Sequence, residues 1–329
     1  MNNTTAIPIY ASEVSGLCSD FVELRRATGL KYIPEEKILR QFSRHCDEKF
    51  PGCMIPEDAI YNWVNGGTNQ SLRTRYGKAN VLAQWAKYLF SLGYMPLWVP
   101  TVRYTNNTGF VPHIFSAAEM QKIWSTVDHL QPAKIYPNMH RCIPTLFRLL
   151  YGCGLRISEA LQITLRDIDF STNVITLRHT KLDKERLVPM SDSIAKAMKE
   201  YADGHGNELS ADDPFFFYRK GFILTSGSVY SRFRMTLRNS GIPYMGKLKG
   251  PRLHDFRHTF AVGAMNNLSD AGNDLYVVLP ILSAYLGHAG ITTTERYIRL
   301  TEERLSTITD RIQLQTPGVF PEVEDDAEF

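Results

Sequence analysis

Through the first ~105 residues apolar side chains recur at the three-and-four spacing of helices that bury one face. Pro34, Glu35 and Glu36 predict a helix start, with Ile38, Leu39 and Phe42 along its apolar stripe. Pro56, Glu57 and Asp58 predict another, running through Ile60, Tyr61 and Val64 to Gly66 and Gly67. Proline and acids suit a first turn because its N–H groups are unpaired and the dipole end is positive. A longer helix is predicted from Ser71 to Leu92, with Val81, Leu82, Trp85, Leu89 and Phe90 as apolar positions and Gly93 as the stop. It carries Arg73, Arg75, Lys78 and Lys87, so a small helical bundle with a basic face is the expected form.

The pattern then breaks. Pro96 and Pro100 bracket Leu97, Trp98 and Val99, and no helix continues through such a run. Thr105, Asn106, Asn107, Thr108 and Gly109 have loop composition and predict a domain boundary. Ser116 and Glu119 have capping-box spacing and predict a new helix start. Helical spacing dominates from there, with one exception. Val174 to Arg178 and Arg186 to Met190 are short β-type runs flanking the polar stretch 180–185, which is a hairpin signal. Residues 316–329, with prolines and acids, are predicted to be a mobile tail.

Composition changes this picture little, but charge distribution does. The chain has 329 residues, 22% charged and 43% hydrophobic, with room for two domains. No apolar run approaches the ~20 residues of a membrane span, and the N-terminal residues lack the basic start and apolar block of a signal peptide. A cytoplasmic protein without a membrane partner is expected. Cys18, Cys46, Cys53, Cys142 and Cys153 form no CxxC and no zinc-ribbon spacing, which predicts free thiols. The net charge of +3 conceals five acids between Glu322 and Glu328, without which the remainder carries +8. Between Tyr218 and Arg257 nine basic residues, among them Arg232, Arg234, Lys247 and Lys249, stand against the single acid Asp255, with aromatics interleaved. Such a stretch is either a solvated basic face or a polyanion site.

The candidate chemistry begins with His254, Asp255, Phe256, Arg257 and His258. Pro251 stands where a helix could begin, and Phe256, Phe260 and Ala264 form its expected buried stripe. Two histidines four apart with an acid between them come close to a zinc-protease motif. Arg257 argues against it, because a permanent cation would adjoin the metal, and Asp255 is one methylene shorter than the usual glutamate base. His254 and Arg257 make a better anion site, since a guanidinium grips two phosphate oxygens and imidazole adds a donor. Arg156, just past the Gly152–Gly154 turn, follows the apolar segment Ile143 to Tyr151, so it needs an acid or an anion; Glu159 is positioned to pair with it at i,i+3. His288 lies between Gly287 and Gly290, and Tyr297 follows nine residues later.

Four segments in this order, GLRISEAL, HTKLDKERLVPM, HDFRHTFA and LGHAGITTTERYI, resemble the tyrosine recombinases, the phage-integrase family. The resemblance covers roughly residues 113–315, and the stretch Asn266 to Tyr285 is somewhat longer than the family's usual pattern. It implies a mainly α fold with a small β-sheet or hairpin, in a two-domain tyrosine recombinase architecture: a helical core-binding (SAM-like) DNA-binding domain at 1–105, a linker at 106–112, an α+β catalytic domain at 113–315 and the acidic mobile tail at 316–329.

By the same resemblance Arg156 and Arg257 match the two catalytic arginines, Lys181 the hairpin lysine, His254 and His288 the two histidine positions, and Tyr297 the nucleophile. Glu159 matches a supporting acid. Lys184, on the same hairpin, is the rival for the lysine role. The resemblance implies a site-specific recombinase that forms a 3′-phosphotyrosine link without metal, ATP or other cofactor. It serves integration, excision or transposition of a mobile element. Its partners are double-stranded DNA and three further subunits, either copies of itself or sister recombinases. Arg73, Arg75, Lys78, Arg232, Arg234, Lys247 and Lys249 are the expected DNA contacts. A type IB topoisomerase, sharing the chemistry, and a DNA-binding regulator without catalysis are the alternatives.

Overall fold

The computed structural model describes residues 6–67, 69–105, 111–178, 185–205, 210–219, 221–243, 250–288, 290 and 294. The chain divides into two compact units, Met1–Gly109 and Phe110–Phe329.

The first unit is built from four helices, α1 (Ala11–Ala27), α2 (Ile33–Lys49), α3 (Ala59–Asn65) and α4 (Leu72–Ser91). Pro34 sits in the first turn of α2, with Glu35 and Glu36 beside it. Leu39, Phe42, Ile60, Val64, Leu82, Trp85 and Leu89 form one apolar core. Phe42 meets both Trp63 and Trp85 edge-on, and the Trp85 indole N–H donates to the Leu17 carbonyl at 3.3 Å, so the largest buried ring is satisfied. Three local expectations need correction. α3 begins at Ala59, because residues 56–58 form the preceding turn, in which the Pro56 carbonyl accepts from Ala59. Tyr61 faces outward and stacks on Trp98, and Phe90 is 64% exposed on the outer side of α4.

The second unit contains α5 (Ala117–Asp128), α6 (Met139–Gly152), α7 (Ile157–Ala160), α8 (Asp192–Asp203), α9 (Ser226–Asn239), α10 (Asp255–Asp270) and α11 (Leu275–Leu286). The capping box predicted at Ser116 is present: its hydroxyl accepts from the Glu119 amide, and the Glu119 carboxylate accepts from the Ser116 amide. α6 is the central helix, with Ile143, Leu146, Phe147, Leu149 and Leu150 all buried. Phe256 of α10 packs among Phe115, Trp124, Phe147, Tyr151 and Phe233, which anchors the start of α10 in this core. Phe260 and Ala264, expected to be buried with Phe256, are only partly covered and flank a second cluster shared with α11.

The predicted hairpin is part of an antiparallel three-stranded sheet, β1 (Ile168–Asp169), β2 (Val174–Leu177) and β3 (Arg186–Pro189), in that order. Its register runs from Val174 opposite Pro189 to Leu177 opposite Arg186. A second pair, β4 (Phe217–Arg219) with β5 (Phe222–Ile223), opens the basic stretch and was not predicted from sequence. The mainly α architecture with small antiparallel sheets is as expected. Of the five cysteines, 18, 46, 142 and 153 are buried and Cys53 is exposed, all as free thiols. Among the described residues no helix is long and apolar enough to cross a membrane.

Candidate functional site

Arg156 is the N-cap residue of α7, immediately after a turn in which Gly154 has φ +60°. A Cβ on Gly154 would lie 2.4 Å from the Phe260 ring, so both the backbone angle and the space require glycine there. This turn sets the direction of Arg156. Its Nη1 donates to Glu159 Oε1 at 2.6 Å and its Nη2 to the Gly287 carbonyl at 2.8 Å. The Glu159 carboxylate also accepts from the Arg156 amide at 2.9 Å. The i,i+3 pair expected from sequence is therefore formed, and it reaches a third segment 131 residues away.

Arg257 lies in the first turn of α10 and is among the largest fully buried side chains, 1% exposed. Its Nη1 donates to the Gly154 carbonyl at 2.8 Å and its Nη2 to the Leu286 carbonyl at 2.6 Å; Nη1 is 4.0 Å from Glu159 Oε2. The two arginines thus cross-link the same two glycine turns, at 154 and 287. Gly287 caps α11 with a φ of +64°, and its carbonyl accepts from Arg156. His288 follows, and its Nδ1 is 2.8 Å from the hydroxyl of Thr294, a fully buried threonine.

His254 is the N-cap of α10, and its ring stands edge-on to that of His258 at 4.8 Å. Burial, followed by the charges of Arg257, Arg252 and Arg156, lowers the His254 pKa to about 4. Burial, with Arg257, Arg156, His254 and Arg186, lowers His288 to about 4 as well. Both imidazoles are neutral at pH 7, and the guanidinium groups carry the site's positive charge. Burial would raise the Glu159 carboxyl, but Arg186 and Arg156 overcome it and hold it at about 2. Asp255 is fully buried and caps the turn before α10, accepting from the Arg252 amide at 2.7 Å. Its oxygens are thereby committed within the fold, and among the described residues no group of three His, Cys, Asp or Glu could hold a metal ion.

Arg156, Glu159, His254, Arg257 and His288 are therefore brought together from three separate segments. Lys181, Lys184 and Tyr297, with Lys247 and Lys249, lie outside the described residues. Of the remaining basic candidates, Arg73, Arg75 and Lys78 are on α4 of the first unit. Arg73 lies 6.0 Å from the Tyr104 ring, Arg75 donates to Asn65, and the Lys78 ammonium is 3.8 Å above Trp63, where burial lowers its pKa. On α9, Arg232 lies 5.2 Å from the Tyr136 ring and Arg234 is exposed.

Sequence reasoning missed Arg186. It donates through both terminal nitrogens to Glu159, at 3.0 and 2.9 Å, and through Nε to the Tyr285 carbonyl at 3.0 Å. The signal available was a basic residue in an otherwise apolar strand, which is weak without the fold.

The Phage integrase family model matches residues 114–304. The chain is 28% identical over 310 residues, 89% of its length and 95% of the relative's, to the provisionally named integrase/recombinase y4rB of Sinorhizobium fredii. It is 36% identical over 163 residues, 49% of this chain and 47% of the relative, to tyrosine recombinase XerC of Chlamydia caviae. The Tn1549 transposon integrase, solved in complex with circular intermediate DNA, has the same fold, with a TM-score of 0.60 at 20% identity, covering 91% of this chain and 99% of that one.

Proposed function

Because the chain belongs to the phage integrase family, the tyrosine-type site-specific DNA recombinases, we propose that it cuts and rejoins duplex DNA through a covalent 3′-phosphotyrosine intermediate to integrate or excise a mobile element. The observation that carries this reading is the convergence of Arg156, Arg257, His254 and His288 on two glycine turns, with the arginines fixed by backbone carbonyls. Pre-aimed donors of this kind stabilise charge that develops on a phosphate. Support for the mobile-element role comes from the name of the Sinorhizobium relative and from the transposon origin of the Tn1549 integrase.

In this mechanism the Tyr297 oxygen attacks the scissile phosphorus. A Tyr–O–P bond forms as the bond to the 5′ oxygen breaks. A phenol of pKa ~10 is a weak nucleophile at neutral pH, so surrounding cations and donors must favour its ionised form. Arg156, Arg257 and His288 receive the charge on the non-bridging oxygens. Lys181 gives a proton to the departing 5′ oxygen, with Lys184 as its rival on the same hairpin. His254 contacts the phosphate, and Glu159 holds Arg156. The phosphotyrosine keeps the energy of the diester, so a second 5′ hydroxyl reverses the attack without ATP. Strand exchange between two duplexes calls for four active subunits, either copies of this chain or sister recombinases. Arg73, Arg232, Arg234, Lys247 and Lys249 contact DNA phosphates, while Lys78, seated over Trp63, and Arg75, bonded to Asn65, brace the helix that presents Arg73.

The test is covalent trapping. Wild type and Tyr297→Phe are incubated in EDTA with nicked duplexes drawn from the DNA flanking the gene, then denatured. A protein–DNA adduct with wild type alone is the expected result. Tight DNA binding with no adduct, or an adduct that survives the tyrosine substitution, would overturn the reading.

A further inference from the structure

Three parts of the site meet at Arg186, which has no role in the mechanism above. It is the first residue of β3 and lies opposite Leu177, and Lys181 and Lys184 fall in the sequence that joins these two strands. Its guanidinium grips both oxygens of Glu159 and the Tyr285 carbonyl, and its side chain is 12% exposed. The Gly287 turn closes over it: a Cβ there would lie 2.7 Å from Nη1. Glu159 Oε1 is the atom that also receives Arg156, and Arg257 approaches Oε2. One carboxylate therefore faces three guanidinium groups, and Arg186 holds it through a two-pronged guanidinium fork.

These contacts leave Arg186 directed into the protein, with all three of its nitrogens engaged. Without its fork Glu159 could swing toward Arg156 alone, and the 285–287 turn would lose its tie to the sheet. A lysine in its place would supply a point charge that reaches one acceptor at a time. On the other strand Arg178, the residue after β2, pairs with Asp167 at 2.9 Å, so both strands of the hairpin are tied to the body of the unit.

We propose that Arg186 is a positioning residue for DNA cleavage: by clamping Glu159 to the Tyr285–Gly287 turn, it orients Arg156 and ties the lysine-bearing hairpin to the arginine pair. The inference rests on the covalent reading given above.

The experiment compares wild type, Arg186→Lys, Arg186→Gln, Glu159→Gln and the Arg186→Gln/Glu159→Gln double variant. For each, DNA affinity is measured by anisotropy, the rate of adduct formation on a nicked duplex at saturating protein, and the melting temperature. Small displacements of a positioned group cost up to about 100-fold in rate, so Arg186→Gln should slow adduct formation by about 30- to 100-fold with DNA affinity within about twofold of wild type. Arg186→Lys should recover part of that loss. The double variant should be no slower than the slower single variant, because both changes break the same contact. An Arg186→Gln protein that cleaves at the wild-type rate would overturn the proposal. So would rates that simply multiply in the double variant. If Arg186→Gln melts far below wild type, Arg186→Lys decides: a slowed rate with unchanged affinity supports the proposal, and a wild-type rate overturns it. An inactive wild type would instead refute the covalent reading, and this inference with it.

Discussion

Arg73 and Arg257 place the same guanidinium in opposite settings. Arg73 projects from α4 of the first unit, exposed and 6.0 Å from the ring of Tyr104. Arg257 is 1% exposed in the second unit and is held by two backbone carbonyls. An exposed cation keeps much of its hydration, so any attraction it exerts on a polyanion does not fix where a phosphate sits. A buried cation has lost its water and must be given acceptors by the fold, which fixes its direction before any ligand arrives. The same side chain thus behaves differently in the two settings, and the buried one is the one whose surroundings are costly to alter.

The sharpest way to break that contrast is to exchange arginine for lysine at both positions. Arg257→Lys should reduce adduct formation by about 100- to 1000-fold, the range for removing one aimed donor from a developing oxyanion. It should also destabilise the protein by about 1–3 kcal/mol, since lysine cannot serve the Gly154 and Leu286 carbonyls together. Arg73→Lys should leave both quantities close to wild type. Single-turnover cleavage and thermal melting read the two effects. Equal losses at the two positions would abolish the distinction.

Local features were legible in the sequence and long-range ones were not, for a physical reason. Caps, prolines and apolar spacing act within about four residues, so α2, α4, the Ser116 cap and the β2–β3 hairpin could be read directly. The Arg156–Glu159 pair could also be read, because it is local. Arg186 pairs with Glu159 across 27 residues and Arg156 reaches Gly287 across 131, and no local rule encodes such contacts. The outward turns of Tyr61 and Phe90 escaped notice because an apolar residue on a helix does not announce which side it faces. Nor did sequence show that Lys78 lies over Trp63 and Arg75 reaches Asn65, so the basic face of α4 is partly engaged within its own unit.

A smaller effect follows from the neutral histidines. His254 and His288 are lowered to about 4, by burial first and by the arginines next. A base whose folded pKa lies below its unfolded value stabilises the fold above the unfolded pKa of about 6.5, and loses that contribution as pH falls toward 4. Stability of the DNA-free protein should therefore decline between pH 6.5 and 4. Glu159, held at about 2, adds its own loss only below about 4.5, as its carboxyl protonates. The urea midpoint measured at pH 7 and at pH 5 should show the slope, and a His254→Gln/His288→Gln double variant should flatten it. It should not abolish it, because His45 in the first unit is also lowered, by burial and then by Lys49. A double variant with the full wild-type slope would place the pH dependence outside this site.

The smallest effect belongs to the exposed side and separates two cations on one helix. If Arg73 meets a DNA phosphate, Arg73→Ala should reduce the slope of log affinity against log salt by about 0.9, the value for one phosphate contact on duplex DNA. The loss should be the same on specific and nonspecific DNA, because a phosphate contact carries no sequence information, and stability should stay within about 0.5 kcal/mol. Lys78→Ala should behave differently. Its ammonium lies 3.8 Å above the Trp63 ring and the residue is half-buried, so truncation should lower the melting temperature through a lost cation–π contact of about 0.5–2 kcal/mol. Salt titrations of both variants, read beside their melts, distinguish a cation that meets DNA from one that braces the bundle. A Lys78 variant that lowers the salt slope without lowering stability would move that residue into the class of Arg73.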